Sequence, residues 1–432
     1  MGGIQPPTVA APDLDLATSP ERVLPLIAGS GEVCLLIPDR DTTEPEVSIV
    51  IPALNEEHTI SEFVAWCHEG LENAGVCGEV LIVDSSIDST AAKALAAGAR
   101  VLKTPRRGLG RAYLDAIPFI RGKYVLMGDA DLTYDFREIR PFLEKFRRGS
   151  EFILGSRFAG SIEAGAMPAL HRYFGTPLTT WILNRLYASS FSDIHCGMRG
   201  ITRDALVAMD IQSESWEYAS EMVLKSVQME LRTAEVPVRF LRDRDGRVSH
   251  HKRAGWLSPW IAGWINLRSM LVHGAESLAL RPGLLLLALG LLLTLPLSLG
   301  PLSVGRYVFS LYWMLVGVAL SFAGLQSFYL GCLSQLFHDY TGKARERWLR
   351  VFRYNRSVAA SGVGVAAGIA CLIPLVREYL TEGFTLSGTI GASNHLAILG
   401  LLLIICGFTN FVFTLVLHAA SLSARKLRRP EA

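Results

Sequence analysis

The distribution of apolar residues divides this chain into two parts. In residues 46–250, short apolar runs alternate with segments in which apolar residues recur at helical spacing. Residues 281–420 are dominated by four long apolar runs, at about 283–303, 307–331, 358–376 and 396–418. Because a helix needs about 20 apolar residues to cross the hydrocarbon core of a bilayer, we predict a globular domain followed by a four-helix transmembrane region.

Five runs in the first part are typical of short buried strands. They begin near Val47, Glu79, Gly98, Tyr124 and Glu151. Helical patterns lie between them, at about 59–73, 90–98 and 137–148. Strands that alternate with helices in this way predict an α/β domain with a mostly parallel central sheet.

The remaining segments are assigned from their composition. Residues 1–45, which are rich in Pro, Asp and Thr, are expected to form a loose lead-in with a short helix or strand around Val23 to Ile37. Residues 251–280 place several tryptophans on one helical stripe, which favours an amphipathic helix in the membrane interface. A second such helix is expected at Leu178 to Tyr187, and for both stripes a protein core is the alternative. Residues 421–432 form a basic tail.

Charge and cysteine content exclude several classes of protein. The net charge of the 432-residue chain is +2, which gives no electrostatic argument for nucleic acid. Its seven cysteines form no CxxC pair, so we expect reduced thiols rather than a disulfide framework or zinc site. We expect no export signal at the N-terminus.

The basic residues near the spans predict an integral plasma (inner) membrane protein with a cytoplasmic catalytic domain. They are Lys343, Arg345, Arg347, Arg350, Arg353, Arg356, Arg425, Lys426, Arg428 and Arg429.

Two aspartates follow the strand predicted at Tyr124 to Met127. In extended chain, residues i and i+2 point to one side, so Asp129 and Asp131 can grip one hard cation such as Mg²⁺ or Mn²⁺ that keeps positions free for phosphate oxygens. We therefore predict a metal site for the diphosphate of a nucleotide-sugar. Three further Asp-x-Asp pairs lie in polar sequence without a preceding strand: Asp13/Asp15, Asp39/Asp41 and Asp243/Asp245.

Other polar residues stand at predicted strand ends. Glu56 follows the first strand and either contacts a ligand or caps the next helix. Asp84 ends the second strand, where an acid can hydrogen-bond a ribose or base. The turn at 106–113 contains Gly-Leu-Gly but lacks the third glycine and follows the third strand, so we reject a dinucleotide fingerprint there. A turn that faces phosphate stays open as an alternative.

Four stretches in this order carry a family resemblance: VSIVIPALNEE, LIVDSSIDST, GDAD and ILGSRF. Together they resemble the family 2 glycosyltransferases of GT-A fold, and more closely the polyprenyl-phosphate sugar transferases, over roughly residues 46–275. The resemblance implies that Asp129 and Asp131 carry the metal and that Arg157 lies by the phosphates. It implies that Arg172 approaches the lipid phosphate. The nucleotide pocket would be formed by Pro52, Leu54, Glu56, Val83, Asp84 and Ala130.

The chain departs from the family pattern in two places. Asp84 is followed by Ser-Ser-Ile instead of the familiar acidic or amide residue, and Thr133 stands where mannose synthases have Gln. Residues 193–200 are similar to the family's acceptor-side stretch, and Glu221 matches a recurrent glutamate whose alternative is a salt-bridged helix face. Arg247 and Lys252 are expected to capture phosphate, or to serve as a positive flank to the membrane, or both.

The function we predict is inverting transfer of a sugar from a UDP- or GDP-sugar to a polyprenyl phosphate in membrane lipid. A phosphate monoester is ionised at pH 7, so no protein base is required. The alternative acceptor is a sugar hydroxyl of a glycan or glycolipid, which requires a base such as Asp193 or Glu221. A transporter is disfavoured because the apolar runs contain no acidic or basic residue, and a scaffold because the metal aspartates and Arg157 are intact. A second copy of the chain is a further candidate partner.

Overall fold

The computed structural model describes residues 23–28, 31–244, 274–385 and 391–426, together with residues 264, 268 and 271. The chain divides into two units. The first, which we call the sheet unit, contains residues 1–168, 196–218 and 234–249. The second, the membrane unit, contains residues 169–195, 219–233 and 250–432.

A nine-stranded sheet forms the core of the sheet unit, in the order β1-β2-β5-β4-β3-β6-β8-β7-β9. The strands are β1 Val23–Ala28, β2 Gly31–Leu36, β3 Val47–Ala53, β4 Gly78–Asp84, β5 Arg100–Lys103, β6 Tyr124–Met127, β7 Phe152–Ile162, β8 Arg199–Thr202 and β9 Thr233–Phe240. β3 runs parallel to β4 and β6, and β4 runs parallel to β5. The predicted parallel centre is therefore confirmed, and its β-branched strands are buried as expected.

The two edges of the sheet are antiparallel, which the strand–helix pattern did not predict. On one edge, β8 pairs antiparallel with both β6 and β7. On the other, β1 and β2 form a hairpin that joins β5. The sheet thus begins upstream of residue 46, where we placed the start of the domain, because Val23–Ala28 and Gly31–Leu36 pair as two antiparallel strands.

Helices connect the strands close to the predicted positions. They are α1 Ile60–Ala74, α2 Thr90–Ala96, α3 Leu109–Ala116, α4 Arg140–Arg147, α5 Thr176–Tyr187, α6 Arg203–Met209 and α7 Glu217–Gln228. The helix predicted at 137–148 is instead a 3-10 turn, Phe136–Glu138, followed by α4, which has a proline in its first turn. α1 packs edge-on against this turn through Phe63 and Phe136, whose ring centroids lie 5.1 Å apart.

A buried ionic network joins the beginnings of β3, β4 and β5. The Glu79 carboxylate accepts hydrogen bonds from Ser48 Oγ at 2.6 Å, Arg100 at 2.8 Å and Arg121 Nε at 2.7 Å. Arg121 also binds both carboxylate oxygens of Asp41. Since a buried charge without partners is costly, this network makes Glu79 a structural residue.

In the described part of the membrane unit, four helices are long and apolar enough to cross a membrane, as predicted. With the short α10 between the second and third, the helices are α8 Ala275–Leu297, α9 Leu311–Phe337, α10 Lys343–Val351, α11 Tyr354–Thr381 and α12 Ala392–Lys426. The first span ends at Leu297 and the second begins at Leu311, so both predicted limits, 303 and 307, were wrong. Gly300 and Gly305 adopt positive φ there, and a small hairpin, β10 Leu302–Val304 with β11 Tyr307–Phe309, replaces helix.

Glycines bring the membrane helices into close contact. Gly317, Gly324 and Gly331 of α9 recur every seven residues, as do Gly283 and Gly290 of α8. A Cβ on Gly324 would lie 2.3 Å from the backbone nitrogen of Leu287 in α8. Small residues let helix backbones approach each other in membranes, so α8 and α9 form one tightly packed pair.

A polar contact ties α9, α11 and α12 together. Tyr329 donates to Asn410 Oδ1 at 2.8 Å, and Asn410 Nδ2 donates to Ser361 Oγ at 2.9 Å. The predicted interfacial helix at 251–280 lies mostly outside the described residues, including Trp256 and Trp260. In the second predicted interfacial helix, which α5 contains, Trp181 and Leu178 are exposed.

Candidate active site

The aspartate pair lies in a tight turn directly after β6. Residues 130 and 131 belong to the turn rather than to extended chain, and Leu132 has φ +62°. Asp131 Oδ1 accepts hydrogen bonds from the Thr133 backbone nitrogen at 3.0 Å and from its hydroxyl at 2.5 Å. Asp131 is thereby held in one orientation by Thr133, the residue that replaces the family glutamine.

Asp129 lies in a polar corner formed by two tyrosines and a glycine. A Cβ on Gly197 would lie 2.5 Å from Asp129 Oδ2, so only glycine fits there without displacing the carboxylate. The Gly197 nitrogen donates to Tyr134 Oη at 2.8 Å. Burial, and then the Asp129 charge, raise the pKa of Tyr113 well above its usual value. Tyr113 therefore stays protonated and donates to the Gly128 carbonyl at 3.0 Å.

Arg157 belongs to the same corner. It is buried near the middle of β7, and its guanidinium lies 5.3 Å from the ring centroid of Phe240. Phe240 in turn packs against Tyr134, with ring centroids 5.1 Å apart. The Arg157 charge also acts on Tyr134. The structure therefore brings together Asp129 and Arg157, two residues predicted to act on one diphosphate.

The aspartate pair fits a divalent cation that takes its other ligands from substrate. Asp129 and Asp131 are half-buried, with partial access to solvent. Within the described ranges, no group of three or more His, Cys, Asp or Glu residues is arranged to hold a metal ion. Mg²⁺ is usually held by one or two carboxylates, with waters and substrate phosphates completing its shell. Two half-buried carboxylates, one of them in the same corner as Arg157, match that pattern.

His195 and Cys196 make contacts that differ from those of metal ligands. His195 Nε2 lies 2.8 Å from the Thr179 hydroxyl. Cys196 is buried and its thiol donates to the Met198 carbonyl at 3.6 Å. Next to it, Arg199 Nε donates to the Cys196 carbonyl at 2.9 Å, and burial lowers the pKa of this arginine.

Asp84, at the end of β4, is buried beside a lysine that the sequence analysis missed. Its Oδ2 lies 2.5 Å from Lys103 Nζ, and its Oδ1 accepts from the Ser86 nitrogen at 3.2 Å. Lys103 also donates to the Ser86 carbonyl at 3.0 Å. Lys103 ends β5, the strand next to β4, so the strand-end argument used for Asp84 would have found it. A ligand at this edge meets an ion pair rather than a lone acid.

The loop after β3 is tied to the loop after β4. Asn55, which has φ +56°, donates its backbone nitrogen to Ser86 Oγ at 2.7 Å. The Glu56 nitrogen donates to Thr90 Oγ1 at 2.9 Å. The Glu56 carboxylate accepts from Thr59 Oγ1 at 3.2 Å, immediately before α1. This contact fixes the Glu56 side chain at the turn before α1, but its donor is a hydroxyl rather than a backbone N–H, so neither the capping alternative nor the ligand role is tested by it.

The other predicted nucleotide residues differ in accessibility. Pro52 and Leu54 are half-buried at the end of β3 and in the turn after it. Val83 and Ala130 are buried, so their side chains offer almost no surface to a ligand. The Gly-Leu-Gly turn packs tightly against residues 213–214, because a Cβ on Gly108 or Gly110 would lie within 2.4 Å of the backbone there.

Comparisons with known proteins decide the family. The model of glycosyl transferase family 2 matches residues 48–209, and that of the family 2 C-terminal transmembrane region matches residues 332–421. The low-salt glycan biosynthesis hexosyltransferase Agl6 of Haloferax volcanii is 35% identical over 361 residues, which cover 82% of this chain and 85% of Agl6. The chain belongs to the family 2 glycosyltransferases. It is a membrane glycosyltransferase, and the predicted GT-A domain and membrane region are both confirmed.

Two further similarities are more distant. The undecaprenyl-phosphate 4-deoxy-4-formamido-L-arabinose transferase of Edwardsiella ictaluri is 24% identical over 330 residues, covering 72% of this chain and 95% of that protein. Among solved structures, mannosyl-3-phosphoglycerate synthase from Rubrobacter xylanophilus aligns with a TM-score of 0.41 and 23% identity, over 52% of this chain and 73% of the other.

The residues predicted from the sequence to act in this glycosyltransferase include members of each unit. The nucleotide and metal residues predicted from the sequence belong to the sheet unit. Arg172, Asp193 and Glu221 belong to the membrane unit. Arg172 lies in a π-helical turn with its guanidinium 5.5 Å from the ring centroid of Tyr173, and Asp193 is buried. Arg247 and Lys252 lie outside the described residues.

Glu221 of the glycosyltransferase has a partner that the sequence analysis did not name. Lys225, one helical turn later on α7, places Nζ 2.6 Å from Glu221 Oε1, and both side chains are buried. The salt-bridge alternative for Glu221 is therefore present in the structure. The i, i+4 spacing of these residues was the signal that could have identified the pair.

Proposed function

We propose that this glycosyltransferase moves a sugar from a nucleotide-sugar to a polyprenyl phosphate, with inversion at the anomeric carbon. The observation that carries the proposal is the corner that contains Asp129 and Arg157, in a chain that also has four membrane-spanning helices. The Edwardsiella relative is an undecaprenyl-phosphate sugar transferase, which supports the same acceptor class.

In the proposed reaction, a phosphate oxygen of the lipid attacks the anomeric carbon and the bond from that carbon to the nucleoside diphosphate breaks. Asp129 and Asp131 would hold Mg²⁺ or Mn²⁺, which stabilises charge on the departing diphosphate. Arg157 adds a fixed positive charge at the same place. Asp84 with Lys103, and the residues Pro52, Leu54 and Glu56, would hold the nucleotide, while Val83 and Ala130 would contribute backbone only.

The surroundings of the two candidate bases in the described residues support a lipid phosphate as acceptor. A lipid phosphate needs no base because it is already ionised near pH 7. A sugar hydroxyl needs one, yet Asp193 is buried and the Glu221 carboxylate is neutralised by Lys225. A carboxylate held against an ammonium is a poor proton acceptor. We therefore assign Glu221 to orientation on the acceptor side, together with Arg172, Arg247 and Lys252, which would bind the lipid phosphate.

The basic residues of the connection that contains α10 support a cytoplasmic position for this side of the membrane unit under the positive-inside rule. With four spans, both ends of the membrane region face the same side. We accordingly propose an inner-membrane enzyme with its sheet unit in the cytoplasm.

The test uses membranes that contain the protein, polyprenyl phosphate, Mg²⁺ or Mn²⁺, and a panel of labelled UDP- and GDP-sugars. We expect label from one donor in the organic-extractable lipid, dependent on metal and lost in Asp131→Ala. The control is Asp39→Ala, an exposed aspartate of another Asp-x-Asp pair, which should keep activity. Release of nucleotide only when a glycan or glycolipid is added would favour the hydroxyl acceptor instead.

A further inference from the structure

The connection between the second and third membrane helices has a fixed shape. Asp339 Oδ1 accepts from the Gly342 nitrogen and Oδ2 from the Arg345 nitrogen, each at 2.7 Å, so Asp339 caps the beginning of α10. Gly342 itself adopts φ +81°. We call residues 338–342 the capped loop. Its backbone is constrained at both the turn and the helix that follows.

α10 is attached firmly to the end of α9. Trp348 is buried, and its Nε1 donates to Gln335 Oε1 at 2.8 Å. Its ring also packs edge-on against Phe328 and lies 6.2 Å from Phe352 between centroids. A buried aromatic with a satisfied N–H is a rigid anchor, so the position of α10 is set by the membrane helices.

The capped loop and α10 contact α7, all within the membrane unit. The ammonium of Lys225 lies 5.6 Å from the ring centroid of Tyr340. Lys343, the first residue of α10, pairs with Glu230, which follows the end of α7, and both of these side chains are exposed. Tyr340 therefore faces the buried Lys225–Glu221 pair, and Lys343 holds the same segment from outside.

We propose that the capped loop and the start of α10 are a positioning element of the transferase site: Tyr340 and Lys343 hold the part of α7 that carries Glu221 and Lys225. The inference rests on the proposed role of Glu221 on the acceptor side. A ring over a desolvated ammonium attracts it electrostatically and excludes water, which keeps the Glu221–Lys225 pair in one geometry. The four membrane helices then contribute to catalysis as well as to anchoring.

The proposal predicts that changes at Tyr340 or Lys343 alter kcat and leave the nucleotide Kd unchanged, since the residues proposed for the nucleotide lie in the sheet unit. Three variants of the full-length protein test it: Tyr340→Leu, which removes the aromatic face, Tyr340→Phe, which retains it, and Glu221→Gln as reference. The readouts are kcat for lipid labelling and the Kd of mant-UDP and mant-GDP measured with Mn²⁺ and no acceptor.

We expect Tyr340→Leu to lower kcat about tenfold or more, with the nucleotide Kd within twofold of the unsubstituted protein. Tyr340→Phe should recover most of the activity. Equal kcat for Tyr340→Leu and the unsubstituted protein, when Glu221→Gln is impaired, would overturn the positioning role and leave the proposed function intact. If Glu221→Gln itself transfers at the normal rate, the acceptor-side assignment of Glu221 fails instead.

A charge swap provides a second test that does not depend on a half-buried side chain. Lys343→Glu should lower kcat several-fold, and adding Glu230→Lys should restore it with no change in nucleotide Kd. Arg347→Glu, the same reversal at an exposed position of α10, is the control for charge alone. A double variant no better than Lys343→Glu would contradict the proposed contact.

Discussion

Gly197→Ala tests whether Asp129 is a metal ligand without altering any polar group. The new methyl would lie 2.5 Å from Asp129 Oδ2, whereas ordinary contacts begin at 3.4 Å, so the carboxylate must move by about 0.9 Å. The methyl would also lie 3.0 Å from the Tyr134 ring, which is a second tight contact. Metal sites tolerate ligand shifts of only about 0.2 Å.

The expected loss follows from the effect of disturbing groups around metal ligands. Such changes typically weaken metal binding by roughly 10–100-fold, which corresponds to about 1.4–2.8 kcal/mol. We therefore expect Gly197→Ala to bind Mn²⁺ 10–100-fold more weakly, with a matching rise in the Mn²⁺ concentration needed for transfer. The hydrogen bond from the Gly197 nitrogen to Tyr134 fixes the backbone, so relief by a backbone shift is limited.

The assay is titration of Mn²⁺ into the purified protein in detergent, with free Mn²⁺ followed by electron paramagnetic resonance. Gly362→Ala is the matched control, since a Cβ there meets nothing within 4 Å. The Gly197→Ala protein must first elute and melt like the control, which shows that it is folded. If its Mn²⁺ affinity is then unchanged, the assignment of Asp129 as a ligand is refuted.

Two further predictions concern stability. Glu79→Gln should destabilise the sheet unit by about 3 kcal/mol, because it leaves the buried Arg100 without a full counter-charge; a melting temperature equal to that of the unsubstituted protein would contradict this. Gly324→Ile should separate α8 from α9 and lower the melting temperature, since overpacking costs about 1–3 kcal/mol. Gly362→Ile, into open space, should not, and equal losses in both variants would argue against the close contact.

The candidate site residues Asp84, Asp129 and Asp131 could be selected from the sequence because each stands just after or at the end of a predicted strand. Asp84 and the Asp129 pair each follow a run of buried β-branched or large apolar residues, and parallel strands bring such ends to one edge of a sheet. The same rule was not applied to Lys103. Around Val23 to Ile37 the sequence left helix and strand open, because two short antiparallel strands carry little periodic signal.

Other features depend on contacts between distant parts of the chain, which no local pattern records. Gly197 lies 68 positions after Asp129 in the chain. Only the folded structure shows that a side chain at this position would clash with Asp129 Oδ2. The contact of Tyr340 with Lys225 likewise joins a membrane loop to a helix of the transferase sequence. The span limits at 297 and 311 were set by glycine turns that hydropathy alone does not resolve.

The pairwise packing of the membrane helices has a consequence for how the protein is inserted into the membrane. The membrane helices have their most extensive contacts within α8–α9 and within α11–α12, whereas α9 and α12 touch less extensively. Each pair is contiguous in sequence, so each can close as a hairpin as soon as its second helix emerges from the ribosome. The last step of membrane assembly is then the packing of two preformed helical hairpins, which the hydrogen bond between Tyr329 and Asn410 connects.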